Sequence, residues 1–148
     1  MDYQLLARQA EALIKDVPYT IANLANLSAL IYEYLPEINW AGFYLLEGNI
    51  LVLGPFQGKP ACTQIPCGKG VCGTAVKENK TILVRDVHEF EGHIACDQAS
   101  RSELVIPVRQ GNQIIGVLDI DSPIPDRFTQ EDRRGLERIV EILENAIF

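Results

Sequence analysis

Apolar residues fall at helical spacing at both ends of this chain and alternate, between turns, in its middle. That change of period constrains the fold most, because a 3.6-residue stripe and a two-residue alternation cannot serve one kind of element. Leu6, Ala10, Leu13, Ile14 and Val17 form one helical stripe over residues 2–17, which Pro18 ends. Ile21, Leu24, Leu27, Leu30 and Ile31 form a second over residues 20–35. Residues 39–46 then read as an aromatic-rich strand, turned by Glu47-Gly48-Asn49 into a second strand over 50–56. Pro60, Pro66, Gly68 and Gly70 make 58–73 loop-like, ahead of a short helix over 71–79 and a strand over 81–87. Residues 88–100 show no period and read as a long loop, of a length that is usually functional. Residues 103–108 and 114–120 make a second hairpin about Gln110-Gly111-Asn112. Thr129 opens the last helix, with Asp132 in a capping-box-like position and Leu136, Ile139, Val140, Leu143 and Ile147 as its buried stripe. The order predicts an α+β domain: a mainly antiparallel central sheet flanked by N- and C-terminal helices.

The 148 residues suffice for one core, and 47% hydrophobic with 22% charged is an ordinary globular balance, so a single domain over 1–148 is expected. A net charge of −7 with scattered Lys and Arg argues against nucleic acid. No apolar run reaches membrane-spanning length and no basic-plus-apolar leader opens the chain. The expected address is therefore the cytoplasm, where thiols are kept reduced.

Against that background the four cysteines, Cys62, Cys67, Cys72 and Cys96, crowd one middle segment. Three chemistries are open to them. In thiol redox chemistry a low-pKa thiolate attacks, becomes a sulfenic acid and is resolved by a second cysteine. Cys72 stands at the expected start of the short helix, whose dipole favours thiolate; Cys96 stands in the long loop beside Asp97, between His93 and Arg101. The residues alone leave both open as nucleophile. A zinc site would draw on His88, His93, Cys72 and Cys96, but there is no CxxC pair and no common zinc spacing. Inert burial is the third reading and the preferred one for Cys67. His88 and His93 on a loop read first as surface residues.

The second hairpin gathers acids. A three-residue loop over 110–112 would pair Arg109 with Gln113, Leu104 with Leu118 and Glu103 with Asp119; a one-residue slip would oppose Leu104 to Asp119. Asp119 and Asp121 share a face by alternation, so Glu103, Asp119 and Asp121 are expected to meet at one end of the hairpin. Carboxylates this close raise one another's pKa, giving a general acid, a cation site or a seat for an ammonium group; the plain alternative is a solvated strand end. Trp40 and Tyr44 share a strand face with Gly42 between them, which reads as core packing or as the wall of a small pocket in which Gly42 leaves room. Backbone N–H groups over 70–73, at a helix start, could take a carboxylate.

Long segments of the chain, INWAGFYLL, IPCGKGVCGTAV, DVHEFEGHIACD, SELVIPV and QIIGVLDIDSP, resemble the free methionine-(R)-sulfoxide reductases built on a GAF domain, over about residue 30 to 148. The resemblance implies a GAF-like fold, free methionine sulfoxide (R at sulfur) as substrate, no cofactor or metal, a homodimer and thioredoxin as reductant. It implies Cys96 as nucleophile, Cys62 as the main resolving cysteine and Cys72 as an auxiliary one, with no role for Cys67. It implies Glu103, Asp119 and Asp121 as the carboxylates that hold the sulfoxide and ammonium groups, and Trp40 against the substrate methyl, with Tyr44 beside it. Glu103 and Asp121 are then the candidate proton donors. The rival reading is a non-catalytic GAF module that senses a small ligand; the spaced cysteines, the acidic cluster and the absence of an attached output domain are expected to weigh against it.

Overall fold

In the computed structural model, which describes residues 1–92 and 99–147, six strands form one sheet in the order β3-β2-β1-β6-β5-β4. The strands are β1 (Trp40–Glu47), β2 (Ile50–Gly58), β3 (Gln64–Pro66), β4 (Ile82–Val84), β5 (Ser102–Gln110) and β6 (Gln113–Ser122), and every pairing is antiparallel. Helices α1 (Tyr3–Ile14), α2 (Thr20–Tyr34) and α4 (Gln130–Ile147) pack on one face, and α3 (Gly70–Glu78) on the other. The α+β architecture expected from the periodicity is therefore the one observed.

Alternation on β1, β5 and β6 decides which residues meet which layer. Ala41, Phe43, Leu104, Ile106, Leu118 and Ile120 point to the three-helix side and join Leu6, Leu27, Ile31, Leu136 and Leu143 in the larger core. Trp40, Tyr44, Val105 and Val117 point the other way and pack with Val71, Cys72 and Ala75 of α3. Emptying one of the fully buried leucines of the larger core to Ala would cost about 2–5 kcal/mol.

The helix ends depart from expectation where a local conformation intervenes. The first helix stops at Ile14 because Asp16 takes a left-handed φ of 60°, so Val17 leaves the stripe; Leu13, still helical, is exposed because Leu6, Ala10 and Ile14 carry the buried face. Ile21, read as buried, is exposed, because the sheet-facing side of α2 is carried by Leu24, Leu27 and Ile31. The capping box forms as expected: the Thr129 N–H donates to Asp132 Oδ2 at 2.8 Å and the Asp132 N–H to Thr129 Oγ1 at 3.2 Å. Asp132 also accepts from the Tyr3 hydroxyl at 2.5 Å and pairs with Arg127 at 3.1 Å, tying the start of α4 to the start of α1. The fourth strand is shorter than the 81–87 read from the sequence; Asp86 caps a 3-10 turn (Val87–Glu89) that follows it. The strand Gln64–Pro66 was read as loop, being too short to show a period.

The register of the second hairpin is two residues away from the expected one. The turn holds two residues, Gly111 and Asn112, with Gly111 at a φ of 62°, and a bulge follows between Val108 and Arg109. Glu103 therefore faces Asp121 rather than Asp119, and Leu104 faces Ile120. A shift of two keeps every side chain on its own face.

Candidate active site

Three neighbouring strands place the site. On β6, Asp121 lies opposite both Trp40 and Glu103, and Asp119 lies opposite both Gly42 and Val105. Opposed residues share a face, so Trp40, Gly42, Tyr44, Glu103, Asp119 and Asp121 all project toward α3. The three carboxylates expected to meet do so. Glu103 and Asp119 are only 7% and 5% exposed, and Asp121 is half-buried.

Burial pushes the Glu103 carboxyl well above its ordinary range, and the charges of Asp119 and Asp121, with hydrogen bonds to both, push it further. The size of the effect is easily large enough: two unit charges about 5 Å apart at an effective dielectric near 20 repel by about 3 kcal/mol. Glu103 is thus held as a neutral acid whose single O–H is shared between Asp119 and Asp121.

The first turn of α3 brings Cys72 over this cluster. Its sulfur lies 4.0 Å from Glu103 Oε2, and it is 3% exposed. Burial, then the negative charge of the carboxylate cluster with Asp119 foremost, push the Cys72 thiol up. The expectation that a helix start would make it a thiolate is therefore corrected: a dipole term of about 0.3–1 kcal/mol loses to burial and to like charge. The expected amide cradle at 70–73 is also partly occupied. The Gly70 N–H donates to Gly92 O at 3.2 Å and the Gly73 N–H to Lys69 O at 3.0 Å, which leaves Val71 and Cys72 as the amides such a role would rest on.

Cys72, Glu103 and Asp119 offer donor atoms within 4.8 Å of one another, the one such convergent group among the described residues. A cation there would have to displace protons that the site holds firmly. His88 is exposed on the 3-10 turn and takes no part in that group; His93 and Cys96 lie outside the described residues. Cys62, half-buried, is disulfide-bonded, while Cys67 and Cys72 are free thiols.

The aromatic wall is a stack of three rings. Trp40 lies 5.9 Å from Tyr44 and 5.1 Å from Phe56, with interplanar angles of 23° and 14°. Gly42 does not leave empty room: Phe56 stands opposite it on β2, and a Cβ at Gly42 would run into Phe56 and come within 2.9 Å of the Trp40 ring. Phe56 comes to face Gly42 through the irregularity between Gly42 and Tyr44, which residue type alone does not show, so the sequence carries no signal for it. The Trp40 Nε1–H donates to Lys59 O at 3.1 Å and the Tyr44 hydroxyl to Cys62 O at 2.9 Å. Burial, then the charge of Asp119, pushes the Tyr44 phenol well above its ordinary pKa, so it keeps its proton.

Residues 22–147 match the GAF domain family model. The free methionine-R-sulfoxide reductase of Escherichia coli is 58% identical over 145 residues, covering 98% of this chain and 88% of that protein. The chain belongs to the free methionine-(R)-sulfoxide reductases. A solved structure of the Staphylococcus aureus enzyme in its reduced form superposes with a TM-score of 0.97 at 58% identity, covering 99% and 96% of the two chains. The same enzyme with substrate superposes at 0.95 and 57% identity, again over 99% and 96%. In this chain the buried acid, its two carboxylate neighbours and the ring stack occupy one face of the GAF sheet. No helix among the described residues is long and apolar enough to cross a membrane.

Proposed function

We propose that this protein reduces free methionine-(R)-sulfoxide to methionine. The observation that carries the reading is Glu103, buried as a neutral acid between Asp119 and Asp121 beside the ring stack. A sulfoxide sulfur is a poor electrophile until its oxygen is protonated, and a carboxylic acid kept neutral at pH 7 supplies that proton. Glu103 or Asp121 gives the proton to the sulfoxide oxygen; Cys96 as thiolate attacks sulfur; the S–O bond breaks, methionine leaves, and Cys96 carries the hydroxyl as a sulfenic acid. Cys62 then displaces water to form a disulfide, and a dithiol returns two electrons and two protons through exchange, with Cys72 as the auxiliary thiol. That Cys62 is oxidised while Cys67 and Cys72 are free supports this division of labour.

Asp119 holds the substrate ammonium, and Trp40 and Tyr44 face its methyl end. Restriction to the free amino acid follows: a peptide-linked residue would leave buried polar partners unmatched, at a cost of a few kcal/mol. Residues 1–148 act as one GAF domain, in a cytoplasmic homodimer served by thioredoxin.

The test is reductant consumption by the reduced protein with the separated R and S isomers of free methionine sulfoxide, using thioredoxin, its reductase and NADPH. Turnover with R alone supports the reading. No turnover with either isomer overturns it and favours a ligand-sensing GAF module.

A further inference from the structure

Residues 59–63 join β2 to β3 with no strand pairing of their own. Three backbone carbonyls of this segment accept hydrogen bonds from the sheet. Thr63 O takes the Leu53 N–H at 3.0 Å, Lys59 O takes the Trp40 indole N–H, and Cys62 O takes the Tyr44 hydroxyl. Two of the three donors are ring groups on β1, 2% and 1% exposed, in the same stack that walls the site. Ala61 and Cys62 pack against that layer. Gly58 before the segment leaves its backbone free to swing, so the position of Cys62 depends on these carbonyl bonds together with Pro60 and the disulfide.

We propose that Tyr44 is a positioning residue for Cys62: its hydroxyl, assisted by the Trp40 indole, holds the 59–62 segment in the conformation from which Cys62 closes its disulfide. The inference rests on Cys62 being the resolving thiol of the proposed reaction. The step it serves is the condensation of the Cys62 thiol with a cysteine sulfenic acid, which forms one S–S bond and releases water. In the structure the Tyr44 bond is made while Cys62 is oxidised; it loosens when the disulfide opens, so that its loss falls mainly on the disulfide form. The phenol keeps its proton because it is buried, so the bond is available throughout the working pH range.

The experiment uses the full chain in a Cys67→Ser background, so that the remaining thiols report the redox cycle. The disulfide of Tyr44→Phe is equilibrated in a graded glutathione buffer without substrate, and thiols are counted after acid quench. The ring stays and only the hydroxyl goes. The disulfide is expected to be about tenfold less stable, a shift of about 30 mV to less negative potential for a two-electron couple. Trp40→Phe, which removes the Lys59 bond, shifts it in the same direction. Tyr34→Phe is the control: it removes a tyrosine–carbonyl bond of similar length, to Asp2 O at 2.8 Å, far from Cys62, and leaves the potential in place. A single-turnover experiment adds the rate: Tyr44→Phe slows disulfide closure more than it slows release of methionine. An unchanged potential with closure and release slowed alike overturns the proposal, as does an equal shift in Tyr34→Phe. Because the potential is read without sulfoxide, absence of turnover in the wild type would leave this result standing and count against the reaction alone.

Discussion

Glu103→Gln should make the protein more resistant to unfolding at neutral pH while removing most of its activity. The unfolded chain releases the Glu103 proton above pH 4.5, while the folded one keeps it. Between those two pKa values the folded state binds the extra proton, so stability is full below about pH 4.5 and falls as pH rises toward the folded-state pKa. Each pH unit inside that window costs about 1.4 kcal/mol. For a chain of this length that is about 4 °C in Tm per unit. Glutamine has nearly the same shape, donates hydrogen bonds to Asp119 and Asp121, and does not titrate, so the variant should lose this slope. Outside the carboxylate cluster the shifted acids do not mask it: Asp86 and Asp132 are lowered and act below pH 3.8, and Cys72 is raised and acts above pH 9.0. Urea unfolding of reduced protein at several pH values between 5 and the onset of Cys72 titration measures both slopes. In the same variant kcat should fall by about 10²–10⁴, because an amide cannot transfer a proton, while methionine binding changes much less. Parallel pH slopes in the two proteins would refute the burial argument. Turnover within a few-fold of wild type would refute Glu103 as the donor.

Cys72, a thiol held up by burial and by the acids, should be alkylated more slowly than half-buried Cys67 in the reduced protein near pH 8; mass spectrometry of a time course gives the order, and equal rates would contradict it. Gly42→Ala should cost about 1–3 kcal/mol and weaken methionine binding, since the new methyl meets Phe56; an unchanged Tm would mean that the stack yields freely. Asp132→Ala should cost about 1–3 kcal/mol in denaturant unfolding, because it removes the partner of the Tyr3 hydroxyl and of one Arg127 nitrogen, whose others still bond Pro36 O; a loss below about 1 kcal/mol would show that these groups find other partners.

The faces of the sheet were readable from sequence and the pairing was not. Alternation places Glu103, Asp119 and Asp121 on one side whatever the hairpin register, provided that it moves by even steps. Apolar matching excluded a slip of one residue and could not see the slip of two made by a two-residue turn with a bulge at Val108/Arg109. The start of α3 was also legible from its glycines, but the state of Cys72 was not. That state depends on two strands distant in sequence, and a helix start seen alone gives the opposite answer. Phe56 escaped because its importance lies in standing opposite Gly42, a fact of register rather than of residue type. The role of Tyr44 toward Cys62 spans a β-hairpin and an irregular segment, and no local pattern announces it.

The acids sit on β5 and β6, strands paired on both sides, whereas Cys62 sits on a segment outside the ladder. Bonds at Cys62 can form and break without asking any strand to move. The scaffold therefore separates what must stay still from what must be exchanged: the depth and spacing that keep Glu103 neutral are the same before and after a cycle. Successive turnovers then begin from one and the same acid, once it has regained from solvent the proton it gave to the sulfoxide oxygen.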